Sequence, residues 1–279
     1  MEENRERYHV KTLCDLLGVS RSGYYAWRSR PASQHKQYDE ILKGAIKEIH
    51  QGYRRAYGAA RLHQALRQKG FICSKRRINR LMRELNIKAS TTGLYVWMPG
   101  KHEFYSSTGN QLAKCDKPQG PGEQWVGDFT YIKTKQGWLF HAVVLDLFSR
   151  KIVGWSFSRK RGSDLTKSAL RMALHRHPPK VDCIFHSDQG IEYAAHAFRE
   201  AVEKAGLVRS MSRKGNPLDN AYAESFFHTM KAELLHHKMF ENEIEAVAHI
   251  IEYIQFYNRV RLHSSLNYQS PLKYEKLCA

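Results

Sequence analysis

Three acidic side chains stand in segments of this sequence that otherwise read as core. Asp128 interrupts the β-branched and aromatic run Trp125-Val126-Gly127-Asp128-Phe129-Thr130-Tyr131-Ile132. Asp188 follows Ile184-Phe185-His186-Ser187 and precedes Gln189-Gly190. Glu224 lies in Asp219-Asn220-Ala221-Tyr222-Ala223-Glu224-Ser225-Phe226-Phe227, with 35 residues between it and Asp188. Aspartate is depleted in strands, and the end of a strand in an α/β sheet is where ligand sites form. Singly, each acid has an ordinary reading: an ion pair for Asp128, a turn for Asp188, a complement to the helix dipole for Glu224. Together, among apolar neighbours expected to bury them, three carboxylates repel and raise each other's pKa unless divalent cations neutralise them. Hard oxygen donors without cysteine favour Mg²⁺ or Mn²⁺ over zinc.

Other residues fall near these three. Lys231 is seven residues after Glu224, two turns on and on the same helix face; its readings are a phosphate contact or a surface ion pair. Asn220 can orient a water or a carboxylate, or cap the helix. His186 stands beside Asp188 in sequence, although a lone histidine is more often structural. Arg213-Lys214-Gly215-Asn216-Pro217 reads as a basic loop beside the Glu224 helix, suited to grasping DNA. Tyr193 and Tyr222 read as aromatic packing.

The elements that must carry these side chains begin at Trp125. Strands are expected over 125–134, 138–148 and 151–158, joined tightly enough to be antiparallel neighbours. A helix over 163–176, a strand over 181–185, a helix over 194–205, a strand over 207–211, a helix from Pro217 past Glu233 and another over 242–257 follow. The order βββαβαβα is a mixed sheet with helices on its faces. Upstream, Leu13, Leu16 and Leu17, a Gly18-Val19 turn and a Ser20 cap spell helix-turn-helix, with Arg21 and Arg28 on the second helix. A second unit over about 38–88 has a helix ending at Gly70 and another capped by Ser74, with a buried stripe of Ile78, Leu81, Met82 and Leu85. Arg76, Arg80 and Arg83 form a basic stripe there. With Lys75 and Arg77 they crowd five cations into nine residues, repulsive in isolation and favourable against a phosphate backbone. The domain boundaries read as 1–36, a helix-turn-helix segment; 37–90, a basic module of the same type; 91–122, a linker rich in Pro and Gly, with Tyr95-Val96-Trp97-Met98 expected to dock on a domain; and 123–279, the core with a helical tail.

Composition sets outer limits. The chain has 279 residues, a formal net charge of +18 and 42% hydrophobic residues, enough for a sizeable core and incompatible with wholesale disorder. Residues 1–120 hold 23 Lys and Arg against 10 Asp and Glu, so most of the excess charge lies in the N-terminal half. A nucleic-acid partner and a merely solubilising surface explain that charge about equally well. No apolar stretch is long enough to span a bilayer, and Met1–Arg5 has no apolar h-region of a secretory signal. Five scattered cysteines, never as Cys-x-x-Cys, argue against a disulfide framework or a cysteine-rich zinc site.

The flanks of the three acids, the Tyr57-Gly58 and Arg61-Leu62 region, and the tail Tyr257-Asn258, Arg261, His263, Leu266 and Pro271 resemble bacterial insertion-sequence transposases of the OrfB type. These have a DDE, retroviral-integrase-like catalytic core, and the resemblance covers nearly the whole chain. It implies a ribonuclease H-like fold and assigns Asp128, Asp188 and Glu224 to two metal ions that drive DNA strand cleavage and strand transfer. Integrase-like enzymes carry a basic residue at the position of Lys231, where it contacts the DNA end. The resemblance also implies double-stranded DNA as partner, self-association to at least a dimer, an upstream-frame (OrfA-type) protein or a frameshift fusion, no membrane, and a cytoplasmic, nucleoid-associated enzyme. The chain departs from retroviral integrases in lacking a His₂Cys₂ spacing, and only 55 residues follow Glu224, too few for a full C-terminal barrel. The competing readings are a helix-turn-helix regulator with a decayed core, which the intact acids weigh against, and a ribonuclease H, which uses four acids in another spacing.

Overall fold

The computed structural model describes residues 1–90, 110–213 and 220–278. Helices α1 (Val10–Leu16) and α2 (Arg21–Ser29) flank a turn at Gly18, where φ is +63°. A residue with a side chain is strained there. The Ser20 hydroxyl accepts a hydrogen bond from the Gly23 N–H at 3.0 Å and caps α2, as expected. Next come α3 (Gln34–Gly52), α4 (Ala59–Gln68) and α5 (Lys75–Glu84), with Ser74 capping α5 through the Arg77 N–H at 3.2 Å. The sequence reading contained no α3, although Leu42, Ala45, Ile46 and Ile49 carry a helical period. These side chains close a core with Leu62, Leu66, Ile78 and Leu81.

The sheet consists of β1 (Gln124–Thr134), β2 (Gly137–Asp146), β3 (Ile152–Ser158), β4 (Ile184–Ser187) and β5 (Val208–Met211), in the order β3-β2-β1-β4-β5. The first three strands are antiparallel; β4 pairs parallel to β1 and β5 parallel to β4. Helices α6 (Ser163–Arg176), α7 (Ile191–Ala194) and α8 (His196–Lys204) contribute to the apolar core on one face. Helices α9 (Ala221–Glu233) and α10 (Glu243–Arg259) contribute to the core on the other, and α11 (Pro271–Cys278) follows. Helix α6 lies against β3 so closely that a Cβ on Gly154 would stand 2.3 Å from the Ala169 carbonyl oxygen.

Two expected elements shift. The strand expected from Val181 starts only at Ile184, because Asp182 is left-handed (φ 59°) and the Cys183 N–H closes a turn onto the Lys180 carbonyl. Val181 is exposed. The helix expected over 194–205 begins at His196, after Ala195 adopts ψ 140°, and a short helix not expected from the sequence, Ile191–Ala194, precedes it. The expected helix start at Pro217 and the docking segment around Trp97 lie outside the described residues.

The N-terminal module is fastened to the far end of the chain. The buried Tyr57 hydroxyl accepts from the Leu262 N–H at 2.7 Å, Arg54 pairs with Glu252 at 2.5 Å, and Gln68 donates to the Tyr268 carbonyl at 3.2 Å. The two segments singled out at opposite ends of the sequence, around Tyr57 and around Arg261, therefore touch. Among the described residues, no helix is long and apolar enough to cross a membrane.

Candidate active site

The β1–β4 register builds the centre of the site. Gly127 is paired with Ser187 in the parallel ladder, so the next residues, Asp128 and Asp188, emerge side by side where β4 ends. Alternation along β1 sends Trp125 into the core that includes α6 and α8, and Val126 into the core that includes α9. Asp128, two residues beyond Val126, therefore faces α9. Gly127 faces the other way. A Cβ there would stand 2.6 Å from Phe185 and 3.2 Å from Tyr193, so the strand tolerates no side chain at that point.

Each carboxylate is held locally. Asp128 Oδ1 accepts from the Phe129 N–H at 2.8 Å, and Asp188 Oδ1 accepts from the Gly190 N–H at 3.0 Å. Burial pushes the Asp128 pKa well above the usual carboxylate range. Asp188 and Glu224 push it further, against the Phe129 N–H and the Lys231 charge. Three carboxylates and one ammonium thus share an electrostatic neighbourhood drawn from β1, the end of β4, and α9.

Helix α9 buries Ala223, Phe226, Phe227 and Met230, which leaves Glu224 on its open side. Lys231 is half-buried with its ammonium 5.7 Å from the Tyr131 ring centroid. Burial lowers its pKa, and Asp128 raises it. The expectation of three buried carboxylates needs correcting: Asp128 and Asp188 are half-buried, and Glu224 is exposed. The apolar flanks of Glu224 serve the opposite face of its helix, which leaves the site open to a polymeric substrate. Among the described residues, no three His, Cys, Asp or Glu side chains are gathered as a ready-made metal-binding group. The donors that do converge are all carboxylate oxygens, which suits a hard divalent cation.

The remaining candidates divide. Asn220 sits at the start of α9, buried, with its Oδ1 lacking a hydrogen-bond partner and no capping bond from its side chain. His186 is fully buried, with Nδ1 2.8 Å from the Ser210 hydroxyl and Nε2 3.1 Å from that of Ser212. It ties β4 toward β5 through both ring nitrogens. Arg213 is exposed after β5, and Lys214 lies outside the described residues. Arg76, Arg80 and Arg83 are exposed on α5, and Arg21 on α2. Arg77 and Arg80 already clamp Asp39, each at 2.7 Å, and Arg80 also meets Glu84 at 2.6 Å. Tyr193 is buried, its phenol pushed well up by burial and then by Asp128 and Asp188.

Sequence reasoning missed a fourth acid. Glu192 is buried and paired with Arg161, and its Oε2 and the Asp188 Oδ1 both border the space a Gly190 side chain would fill. Its nearness to Asp188 was visible; its neutralising partner, 31 residues away, was not.

A model of an integrase core domain matches residues 118–217, a second integrase core model matches 205–271, and a model of an HTH-like domain matches 37–93. The uncharacterized 31 kDa protein of insertion element IS600 from Shigella sonnei is 40% identical over 272 residues, covering 96% of this chain and 100% of that protein. The transposase for insertion sequence element IS904 from Lactococcus lactis is 37% identical over 254 residues, covering 88% of this chain and 98% of its own. The chain belongs to the insertion-sequence transposases. A chain of the simian T-cell lymphotropic virus intasome aligns with a TM-score of 0.50 at 14% identity, over 82% of the transposase and 74% of that chain. That likeness is one of fold, the ribonuclease H-like core that the family resemblance implied. The transposase is a DDE enzyme, a polynucleotidyl transferase acting in transposition.

Proposed function

We propose that Asp128, Asp188 and Glu224 are the catalytic carboxylates of this transposase, that they hold two Mg²⁺ (or Mn²⁺) ions, and that they carry out strand cleavage and strand transfer at the ends of the mobile element. The observation that supports this best is the register that sets Asp128 beside Asp188 on the face toward α9, where Asp188 and Glu224 add to the negative charge that raises the Asp128 pKa. Divalent cations there supply charge neutralisation and polarisation of the scissile phosphate on both sides of an in-line displacement. The chain's own groups do the positioning. The Phe129 and Gly190 N–H groups aim the two aspartates, and Glu224 closes the site from a helix whose opposite face is locked in the core. Lys231 offers its ammonium to a phosphate of the DNA end. The attacking group is water for cleavage and a DNA 3′-hydroxyl for strand transfer, so one site serves both steps. Neither tyrosine is the nucleophile: Tyr193 is buried, and the Tyr222 ring lies under the Arg150 guanidinium at 3.7 Å.

Residues 37–90 act as the main DNA-binding module, with Arg76 and Arg83 reaching the backbone, and residues 1–36 add Arg21. Arg213 and Lys214 contact DNA beside α9. Synapsis of two element ends calls for at least a dimer, and an upstream-frame (OrfA-type) protein or a frameshift fusion completes the assembly. The test is nicking of labelled DNA carrying the element's ends, with Mg²⁺ or Mn²⁺, by wild type and by Glu224→Gln. Metal-dependent nicking that vanishes in the variant while DNA binding persists is expected. Equal nicking by both proteins would remove Glu224 from the site.

A further inference from the structure

A fourth carboxylate stands beside the three of the candidate site. Helix α7 follows the Asp188 turn directly, and it leaves Ile191 exposed while Glu192 and Tyr193 turn inward. The Glu192 side chain is 1% exposed. Asp188 Oδ1 and Glu192 Oε2 lie 2.9 and 3.3 Å from the one point that a Gly190 Cβ would occupy, so the two carboxylates converge on the same small space. Burial, and then the charges of Asp128, Asp188 and Glu192, raise the pKa of the Tyr193 phenol, which all three acids therefore neighbour. A hard divalent cation takes carboxylate oxygens within its reach, Mg²⁺ at about 2.0–2.1 Å. A Glu192 carboxylate left to itself here is a rival ligand for any ion at Asp188.

Arg161 holds it back. This residue lies in the loop between β3 and α6. Its Nε donates to Glu192 Oε1 and its Nη2 to Oε2 at 3.3 Å, so the guanidinium fork engages both oxygens. The guanidinium also lies over the Phe129 ring at 5.4 Å, and the Phe129 N–H is the group that holds Asp128. The hydrogen bond to Glu192 raises the Arg161 pKa against partial burial, and the charges of Glu192 and Asp188 raise it further. Among the described residues, no other cation pairs with Glu192. The pair is one-sided: the Arg161 side chain is 56% exposed. Losing Glu192 therefore leaves a solvated guanidinium, whereas losing Arg161 leaves a buried charge that must find another cation.

We propose that Arg161 is a positioning residue of the transposase: it holds the Glu192 carboxylate away from the metal site, so that ions at Asp188 are shared with Asp128 and Glu224 and not with a fourth acid. The inference rests on the reading of Asp188 as a metal ligand, which Asp188→Asn checks by itself.

The test is Mn²⁺ binding by the full chain, followed by the electron paramagnetic resonance of the free ion, beside nicking of element-end DNA at saturating Mn²⁺. Arg161→Gln is expected to bind Mn²⁺ several-fold more tightly and yet to nick about tenfold more slowly or worse, because the ion is drawn toward Glu192. Arg161→Gln/Glu192→Gln, which carries no surplus carboxylate, is expected to return both to wild type. Wild-type Mn²⁺ affinity in Arg161→Gln, or tighter binding with full nicking, overturns the proposal. Should Arg161→Gln not fold, the double variant decides, since it orphans no buried charge. Wild-type Mn²⁺ affinity is expected there, and a several-fold loss would make Glu192 a ligand and overturn the proposal. Asp188→Asn is expected to weaken Mn²⁺ binding. Wild-type affinity in that variant overturns the carboxylate reading and this inference with it, whereas weakened binding there beside an unmoved Arg161→Gln overturns this inference alone.

Discussion

Helix α9 ends on a charge that must be neutralised inside the protein. Glu233, the last residue of α9, accepts from Arg261 Nη2 at 2.8 Å and from Arg261 Nε at 3.0 and 3.1 Å, and from the Tyr253 hydroxyl at 2.9 Å. Both members of the pair are about 95% buried, with 5% and 4% exposure. Replacing Arg261 by Met leaves a buried carboxylate with one neutral donor. Breaking a pair of this kind from one side costs about 3–5 kcal/mol, a large share of a typical total stability of about 5–15 kcal/mol. Removing both charges, as Glu233→Leu/Arg261→Met, leaves no orphan, so the double variant is expected to be markedly more stable than Arg261→Met alone. The assay is urea unfolding at neutral pH, run as a double-mutant cycle. The variants' DNA-binding salt slopes serve as a second readout, because Arg261 spends its charge on Glu233 and not on DNA. A loss below about 1 kcal/mol in Arg261→Met, or single losses that simply add in the double variant, refutes the reasoning.

Other outcomes follow from the same contacts. Gly154→Ala places a methyl 2.3 Å from the Ala169 carbonyl oxygen, so α6 must lift from β3. Thermal unfolding should show a loss of at least the 1–3 kcal/mol or so that overpacking costs, and wild-type stability would show that the helix gives way freely. His141 is fully buried with its pKa pushed down to about 4 by burial. Its pKa is depressed in the folded state, so its contribution is intact above about pH 6.5 and is lost as pH falls toward 4, by about 3 kcal/mol in all. His141→Gln should flatten the stability–pH curve in that window, and an unchanged curve would contradict the burial argument. On α5, Arg76→Gln/Arg83→Gln should reduce the DNA-binding salt slope by about 2. Arg77→Gln, which breaks contacts to Asp39 and to the His35 carbonyl, should instead cost about 1.5–3 kcal/mol of stability. The reverse pattern would exchange their roles.

What was legible in the sequence is what stands against its own local grain. Asp128 in a β-branched run and Asp188 at a strand end are exceptions to propensity, and exceptions can be seen without knowing the fold. Ser20 and Ser74 were legible as caps because capping is decided within three residues. The partnerships were not legible. Glu233 and Arg261 lie 28 residues apart, Arg161 and Glu192 31 apart, and Tyr57 and Leu262 205 apart, and nothing in composition or period pairs them. The same distance effect hides part of the pairing on α5: of its five crowded cations, Arg77 and Arg80 also meet Asp39, on α3.

The site itself hangs on a parallel pairing between strands some 60 residues apart, which no periodicity specifies. A slip of one residue along β1 would turn Asp128 to the opposite face of the sheet, away from α9 and into the space of Phe185 and Tyr193. Gly127 opposes that slip. With no side chain it alone fits against Phe185, whereas Val126 or Asp128 in its place would drive a side chain into the ring. The glycine beside Asp128 therefore acts on the proposed site through register: it favours the alignment in which Asp128 and Asp188 emerge together. Gly127→Ala should accordingly lower strand cleavage by displacing Asp128 even in a protein that still folds and binds DNA. Full cleavage by a folded Gly127→Ala protein would show that the register is held elsewhere.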